Sequence, residues 1–385
     1  MMTVADIGPA VLDFLFEKLQ IDLQWSVREP RGFTWWPHRL AQRVWAEPAR
    51  QSFDHQIVRV HAVTSLLRNV RETAELRPRL SALNRFTSLG ALVWSPERER
   101  IFLHCSAVFH AQNVEWLRPI FLAAVGIQAT DAHVRVDGLA HIFGGEPEVS
   151  AHPNTGPRSD PDDILNVIAR VFAPAGAGPS PWTERDFRAV ERMAPAPWTL
   201  ATSDATGLTA EFAFSGPRPA VVAPALETAL FTASATDRHP QLGAGLLLRL
   251  QLPLSIGASG PDLANMLNTL EMSDDAKGHT LGAWCDAPTA GAVRDAASLT
   301  FASFIPAAVY RSGLLEAFAL DMALRARWVA DVCKEAGLVE APRRATAPVH
   351  QVRCWRCKAP LVVTPETRGK KVKCQQCGTK QELPR

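Results

Sequence analysis

The spacing of apolar residues along the chain changes between two periods, and these periods predict its elements. Ile7, Val11, Leu15 and Leu19 recur every four residues, which places them on one face of an amphipathic helix. Between residues 56 and 66 apolar and polar positions alternate, as in a strand with one buried face. The same patterns predict, further along the first half, a helix over about 72–87, strands over about 89–95 and 100–109, and a helix over about 111–128.

The second half repeats this order of elements. The patterns predict helices over about 161–172 and 183–193, strands over 197–203, 208–214 and across 228–252, a helix over 261–273, strands over 280–286 and 297–305, and a helix over 308–336. Short matches support a duplication. The two middle helices carry Leu83-Asn84 and Leu267-Asn268, and Leu-Gly-Ala opens the next strand at 89–91 and at 281–283. Two copies of one unit explain both the shared order and the shared residues.

Three segments rich in Pro, Gly and polar residues interrupt the periodic sequence, at 144–161, 173–181 and 341–350. Such segments bury little apolar surface, so we expect them to be unstructured connections. They predict the following division: a first α+β domain at 1–143, a linker at 144–181 with a helix at 161–172, a second α+β domain at 182–340, a linker at 341–348, and a small module at 349–385.

The two large blocks resemble the YbjN-like family, through LNRFTSLGALVW at 83–94 and LGAWCDAP at 281–288. The resemblance implies the α+β fold of type III secretion chaperones, in two tandem copies, and a role in binding other proteins rather than catalysis. Chaperones of this shape work as homodimers, so a fused pair implies an intramolecular pseudo-dimer. The Trp-rich stretch at 25–45 departs from the family pattern.

Composition and charge narrow the functional classes. The chain has 385 residues, 47% of them hydrophobic, which is enough for two or three domains with real cores. No run of 18 apolar residues occurs and the N-terminus lacks a basic leader, so we expect a soluble, cytoplasmic protein outside the membrane. Richness in Ala, Arg and Pro is typical of a GC-rich bacterial genome. The net charge of +2 hides an asymmetry: residues 349–385 carry nine basic residues against two acidic ones.

Four of the seven cysteines form two Cys-x-x-Cys pairs in this basic tail, namely Cys354, Cys357, Cys374 and Cys377. A Cys-x-x-Cys turn presents two thiolates at a separation that suits tetrahedral zinc, and two turns complete a site. We expect one structural zinc ion, with Gly378 in a positive-φ conformation and a strand at 361–363. The alternative is a pair of redox dithiols. The segment resembles short bacterial zinc ribbons, in which a Gly-Lys-Lys-Val-Lys run precedes the second turn, here at 369–373.

The basic residues of the ribbon have two interpretations. They could contact phosphates, with a tryptophan stacking on a base. They could instead offset the thiolate charge, solubilise a small module or contact a partner protein. The candidate contact residues are Trp355, Arg356, Arg368, Lys370, Lys371 and Lys373.

No sequence signature of an enzyme is present. HExxH, GxSxG, Walker A and a helix-opening GxGxxG do not occur. His55, His61 and His104 fall on predicted strands, where we expect hydrogen-bonded or solvent-facing side chains, not ligands. Cys105, Cys285 and Cys333 are isolated, as small core residues are. Trp35 and Trp36 are adjacent on a strand and must face opposite ways, so we expect one of them to be exposed.

These patterns favour a non-enzymatic adaptor or chaperone-like protein that binds another protein and carries a structural zinc ribbon. The alternative is a nucleic-acid-associated regulatory factor whose basic ribbon contacts phosphates.

Overall fold

The computed structural model describes residues 4–52, 55–172, 178–193, 198–213, 228–254, 259–273, 278–286, 297–335, 350–353, 356, 360–363, 371–373 and 377–382. It is a mixed α+β protein whose two large sheets are antiparallel, which confirms the predicted α+β class, while the tandem chaperone-like domains and the zinc ribbon stay predictions.

The first half follows the predicted order of elements. Its elements are α1 (Val4–Lys18), β1 (Ser26–Glu29), β2 (Gly32–Trp35), β3 (Gln42–Ala46), β4 (Arg50–Ser52), β5 (His55–Arg68), α2 (Leu76–Asn84), β6 (Ala91–Ser95), β7 (Arg100–Phe109), α3 (Val114–Phe143) and β8 (Glu146–Pro147). The main path of the sheet runs β1-β2-β3-β5-β7-β6, and β4 and β8 pair with β5. All four residues of the α1 pattern are buried, as the four-residue spacing predicts.

The second half contains α4 (Asp163–Phe172), α5 (Glu184–Glu191), β9 (Leu200–Ser203), β10 (Gly207–Ala213), β11 (Thr228–Ser234), β12 (Gly245–Leu254), α6 (Gly260–Glu271), β13 (Ala283–Asp286), β14 (Ala297–Pro306) and α7 (Leu314–Glu335). Its sheet runs β9-β10-β11-β12-β14-β13, which is the path of the first sheet, strand for strand. Along β12 the side chains of Leu246, Leu248, Leu250 and Leu252 are fully buried while Arg249 is exposed, as strand alternation predicts.

Helix α3 is much longer than the pattern at 111–128 predicts. Its last turns bury Ala132, Val136, Leu139 and Phe143 in an apolar cluster that also contains residues of α2, β5, β6 and β7. Charged residues between these positions dilute the apolar pattern, which is why the periodicity fades after residue 128. Gly144 ends the helix with φ +73°, a conformation that glycine adopts without a steric cost.

The expectation that segment 144–161 is unstructured is wrong, and so is the expectation that one of Trp35 and Trp36 is exposed. Trp36 Nε1 donates to Ser150 Oγ at 3.0 Å, and Arg158 Nη1 donates to the Trp36 carbonyl at 2.8 Å. The His152 ring packs edge-on against Trp36 at 4.9 Å. Both tryptophans are buried, because this segment folds back over the sheet and covers the second one.

Two further hairpins lie near the C-terminus, β15 (His350–Arg353) with β16 (Pro360–Val363), and β17 (Lys371–Lys373) with β18 (Lys380–Glu382). The strand predicted at 361–363 is therefore present as β16. The predicted connections at 173–177 and 341–349 lie outside the described residues, so their expected lack of structure stays a prediction.

Candidate functional site

The two sheets meet through two matching sets of backbone contacts. Ser106 and Thr280 exchange hydrogen bonds, Ser106 N to Thr280 O at 3.1 Å and Thr280 N to Ser106 O at 2.8 Å. On the other side, Phe304 N donates to Ser88 O at 3.3 Å and Ser88 Oγ donates to Phe304 O at 2.8 Å. Ser88 and Thr280 each precede a Leu-Gly-Ala motif, so the same position of each half contacts the opposite half.

The middle helices show the same reciprocity. On α6, Asn265 Oδ1 accepts from Trp94 N and its Nδ2 donates to Trp94 O, both at 3.2 Å. On α2, Ser81 Oγ accepts from Asp286 N at 2.7 Å. Each helix therefore binds the backbone of the edge strand of the opposite half, and α2 also packs directly on α6.

Arg59 connects the first sheet to the second half. It lies on β5, it is 1% exposed, and its guanidinium donates to the carbonyls of Ser273 at 3.2 Å and Gly278 at 2.5 Å. Burial lowers the pKa of Arg59, and the carboxyl groups of Glu271 and Glu47 act in the opposite direction. A buried cation is tolerated here because carbonyl dipoles and two acids compensate it.

Glu271 is the centre of the polar contacts on the second half. It lies at the end of α6 and is 1% exposed. Its carboxylate accepts hydrogen bonds from Arg325 Nη1, from Trp284 Nε1 at 3.1 Å and from Thr280 Oγ1 at 2.7 Å. The sequence pattern does not predict this cluster, because Glu271 and Arg325 lie on amphipathic helices, where charged residues are expected to face solvent.

A second polar chain runs from the surface into the first sheet. His61 Nε2 donates to Glu47 Oε1 at 2.6 Å, and His61 Nδ1 lies 3.2 Å from His104 Nε2. Both histidines are fully buried. Desolvation lowers the pKa of His104 well below its usual value, and the nearby His61 and Arg59 add to this effect. His104 is therefore neutral, and the contact between the two rings carries one proton, on His104 Nε2 or on His61 Nδ1.

The predicted residue roles can be compared with these positions. His61 and His104 are hydrogen-bonded, as expected, while the His55 side chain lies outside the described residues. Cys105, Cys285 and Cys333 are buried, which confirms them as core residues. Burial raises the pKa of the Cys105 thiol, and it raises that of Cys285 to about 12. Thiols with such pKa values are poor nucleophiles.

Of the predicted zinc ligands, Cys377 is described, and Cys354, Cys357 and Cys374 lie outside the described residues. Gly378 follows Cys377 with φ +72°, which confirms the positive φ predicted there. Within the described part of the chain, no group of three or more His, Cys, Asp or Glu side chains is arranged for a metal ion. The donor set in the sequence, four cysteines in two Cys-x-x-Cys pairs, has the chemistry of a closed structural zinc site.

Among the candidate phosphate contacts, Arg356, Lys371 and Lys373 are exposed. Trp355, Arg368 and Lys370 lie outside the described residues, so no common surface can be assigned to the six.

None of the helices described is both long enough and apolar enough to cross a membrane. Comparison with known proteins adds no family assignment, so the resemblances to YbjN-like proteins and zinc ribbons stay predictions. No protein-family model, curated protein or solved structure matches this chain.

Proposed function

We propose that the two halves are copies of one chaperone-like unit, which form a pseudo-dimer within a single chain. The identical sheet paths support this, and so do the reciprocal contacts of Ser88 and Thr280 with the opposite half. A homodimer repeats each interface contact twice. After fusion each copy is free to diverge, which accounts for Asn265 on one helix where Ser81 stands on the other.

The protein acts as a non-enzymatic adaptor or chaperone-like protein that binds another protein in the cytoplasm. One observation carries this proposal: the outer end of the second sheet is an available edge. Among the described strands, β9 pairs only with β10, and it exposes Leu200 and Thr202. Edge strands present unpaired backbone groups, which an extended segment of a partner can use for pairing.

The edge of the first sheet is less suited to this role. Its edge strand β1 carries Arg28 and Glu29, which form ion pairs with Asp13 and Arg43 respectively. Charged residues on an edge strand oppose pairing with another chain. This asymmetry supports a partner site on the second half rather than on the first.

The C-terminal module is a structural zinc ribbon and supplies a second contact. Cys354, Cys357, Cys374 and Cys377 hold the ion. Four thiolates leave no open coordination position, so the zinc stabilises the module rather than acting in catalysis. Two linked contacts bind a partner more tightly than either alone.

The test is a pull-down with tagged full-length protein, residues 1–345, and the full-length L200K variant. Leu200 is 54% exposed, so lysine there does not disturb the core but blocks edge pairing. We expect a defined partner that survives nuclease treatment, is retained by residues 1–345, and is lost with L200K. A partner bound equally by L200K would contradict the assignment to β9.

The alternative function is a nucleic-acid-associated factor, favoured by the exposed Arg356, Lys371 and Lys373 of the ribbon. The same pull-down distinguishes the adaptor function from the nucleic-acid function. Nucleic acid that co-purifies with the full chain, is lost with residues 346–385, and falls steeply with salt would favour the alternative.

A further inference from the structure

An open cleft of about 340 Å³ lies between α1 and the turn that follows β3. Its walls are mainly apolar, formed by Pro9, Leu12, Ala46, Pro48, Ala49 and Val58. The lining contains two charged residues, Glu47 and Arg31. The volume falls in the range of sites for small molecules.

Glu47 combines burial with an unmet hydrogen-bonding capacity. It is 7% exposed, and its Oε1 accepts the 2.6 Å hydrogen bond from His61. No described residue donates to the other carboxylate oxygen, Oε2. Glu47 lines the cleft, and the nearby Arg59 acts on its charge but donates its hydrogen bonds to the carbonyls of Ser273 and Gly278. The second oxygen is therefore available to a cationic donor, which a carboxylate in a largely apolar setting favours over water.

The Glu47 carboxylate is held in place through its hydrogen bond to His61. The His61 ring stacks on Trp45 with centroids 4.7 Å apart and 6° between the planes. Its second nitrogen faces His104, whose position is fixed by β7. Because Oε1 is hydrogen-bonded to His61, the direction from which Oε2 can accept a hydrogen bond is set before a ligand binds. This preorganisation reduces the entropy lost on binding.

We propose that this cleft binds a primary alkylammonium group, with the nitrogen on Glu47 Oε2 and the aliphatic stem along Leu12, Val58 and Ala49. Arg31 is exposed and lines the same cleft, so its guanidinium attracts a negative group of the ligand. The ligand class is therefore an ω-amino acid, which carries the ammonium, an apolar stem and a carboxylate. This inference is independent of the proposed adaptor function.

The experiment is calorimetric titration of the full chain with three probes of similar stem length at pH 7.5. The probes are n-pentylamine, 6-aminohexanoate and hexanoate, which carry a cation, both charges and an anion respectively. We expect binding in the order 6-aminohexanoate, n-pentylamine, then hexanoate. A fourth probe, Nα-acetyl-lysine methylamide, carries the same ammonium on a peptide unit. Tighter binding of this probe than of n-pentylamine would assign the ammonium to a lysine side chain of a protein.

Three variants locate the binding. E47Q should weaken n-pentylamine at least about tenfold, because a charge-assisted hydrogen bond is lost. A49F fills the cleft from an exposed position and keeps the Glu47 carboxylate, and it should weaken all probes. R31A should leave n-pentylamine within about twofold and remove the advantage of 6-aminohexanoate.

Thermal melting of each variant distinguishes lost binding from lost folding, and A49F keeps the proposal testable if E47Q is unstable. Absence of heat with every probe would overturn the proposal. Tighter binding of hexanoate than of n-pentylamine would also overturn it, as would amine binding that A49F and E47Q leave unchanged.

Discussion

Asn84 and Asn268 make the same pair of hydrogen bonds in the two halves of the chain. Asn84 Nδ2 donates to Leu92 O at 2.9 Å and its Oδ1 accepts from Leu92 N at 2.8 Å. Asn268 makes both bonds to Trp284, again at 2.9 and 2.8 Å. Leu92 and Trp284 each follow the Leu-Gly-Ala motif directly, so each asparagine fixes its middle helix to the edge strand at the same position.

We expect N84A and N268A to lower the free energy of unfolding by similar amounts, about 1–3 kcal/mol each. Each change leaves a buried backbone N–H and C=O without a partner. Urea denaturation measures the loss, and N154A, at an exposed asparagine, is the matched control. A large loss for one variant with none for the other would contradict equivalent roles.

Arg59 should be essential for holding the second half against the first sheet. We expect R59M to cost about 3–5 kcal/mol, because the buried carbonyls of Ser273 and Gly278 lose their donor and the charges of Glu47 and Glu271 lose a neighbouring cation. R43M is the control: Arg43 is exposed and pairs with Glu29 at the surface, so its loss should cost no more than about 1 kcal/mol. Equal effects of the two variants would contradict the role given to Arg59.

Stability should fall as the pH drops below about 6.5. Desolvation lowers the pKa of His104, His239 and His279 in the folded chain. The contribution of these three neutral histidines to the free energy of unfolding is fully present above the pKa that a histidine has in the unfolded chain. It is lost as the pH falls towards the folded pKa, because the unfolded chain then binds protons that the folded chain does not.

Urea titrations at pH 7.5, 6.5 and 5.5 measure this dependence, at up to about 1.4 kcal/mol per pH unit for each histidine. H104Q should reduce the slope, whereas H141Q, at an exposed position, should retain it. A free energy of unfolding that stays constant over this range would contradict the prediction.

The purified protein should contain about one zinc ion per chain. We expect C377S to lower the zinc content and to expose residues 349–385 to protease, while the rest of the chain keeps its melting temperature, because the metal folds only the small module. Metal analysis and limited proteolysis measure both effects. C285A, at a buried cysteine of the second sheet, is the control and should keep its zinc. Full zinc content in C377S would exclude that cysteine as a ligand.

Much of the local structure follows from the sequence, because short-range periodicity reports which face of an element is buried. The four-residue spacing in α1 and the alternation in β12 predict both elements and their buried sides. The repeated Leu-Gly-Ala motif predicts which positions of the halves correspond. The Cys-x-x-Cys pairs predict a zinc ribbon by residue type alone, and the structure confirms the positive φ predicted for Gly378.

Only the tertiary structure determines which polar residues are buried and which partners they have. Glu271 and Arg325 follow the pattern of surface charges, but both are buried, where they pair with each other and Arg325 also donates to the carbonyl of His279. Trp36 is buried because segment 144–161 returns to cover it, although that segment carries the composition of a loose connection. Glu47 meets His61 across two paired strands. Periodicity shows that a residue faces inward, but the partner it meets depends on contacts between residues far apart in the chain.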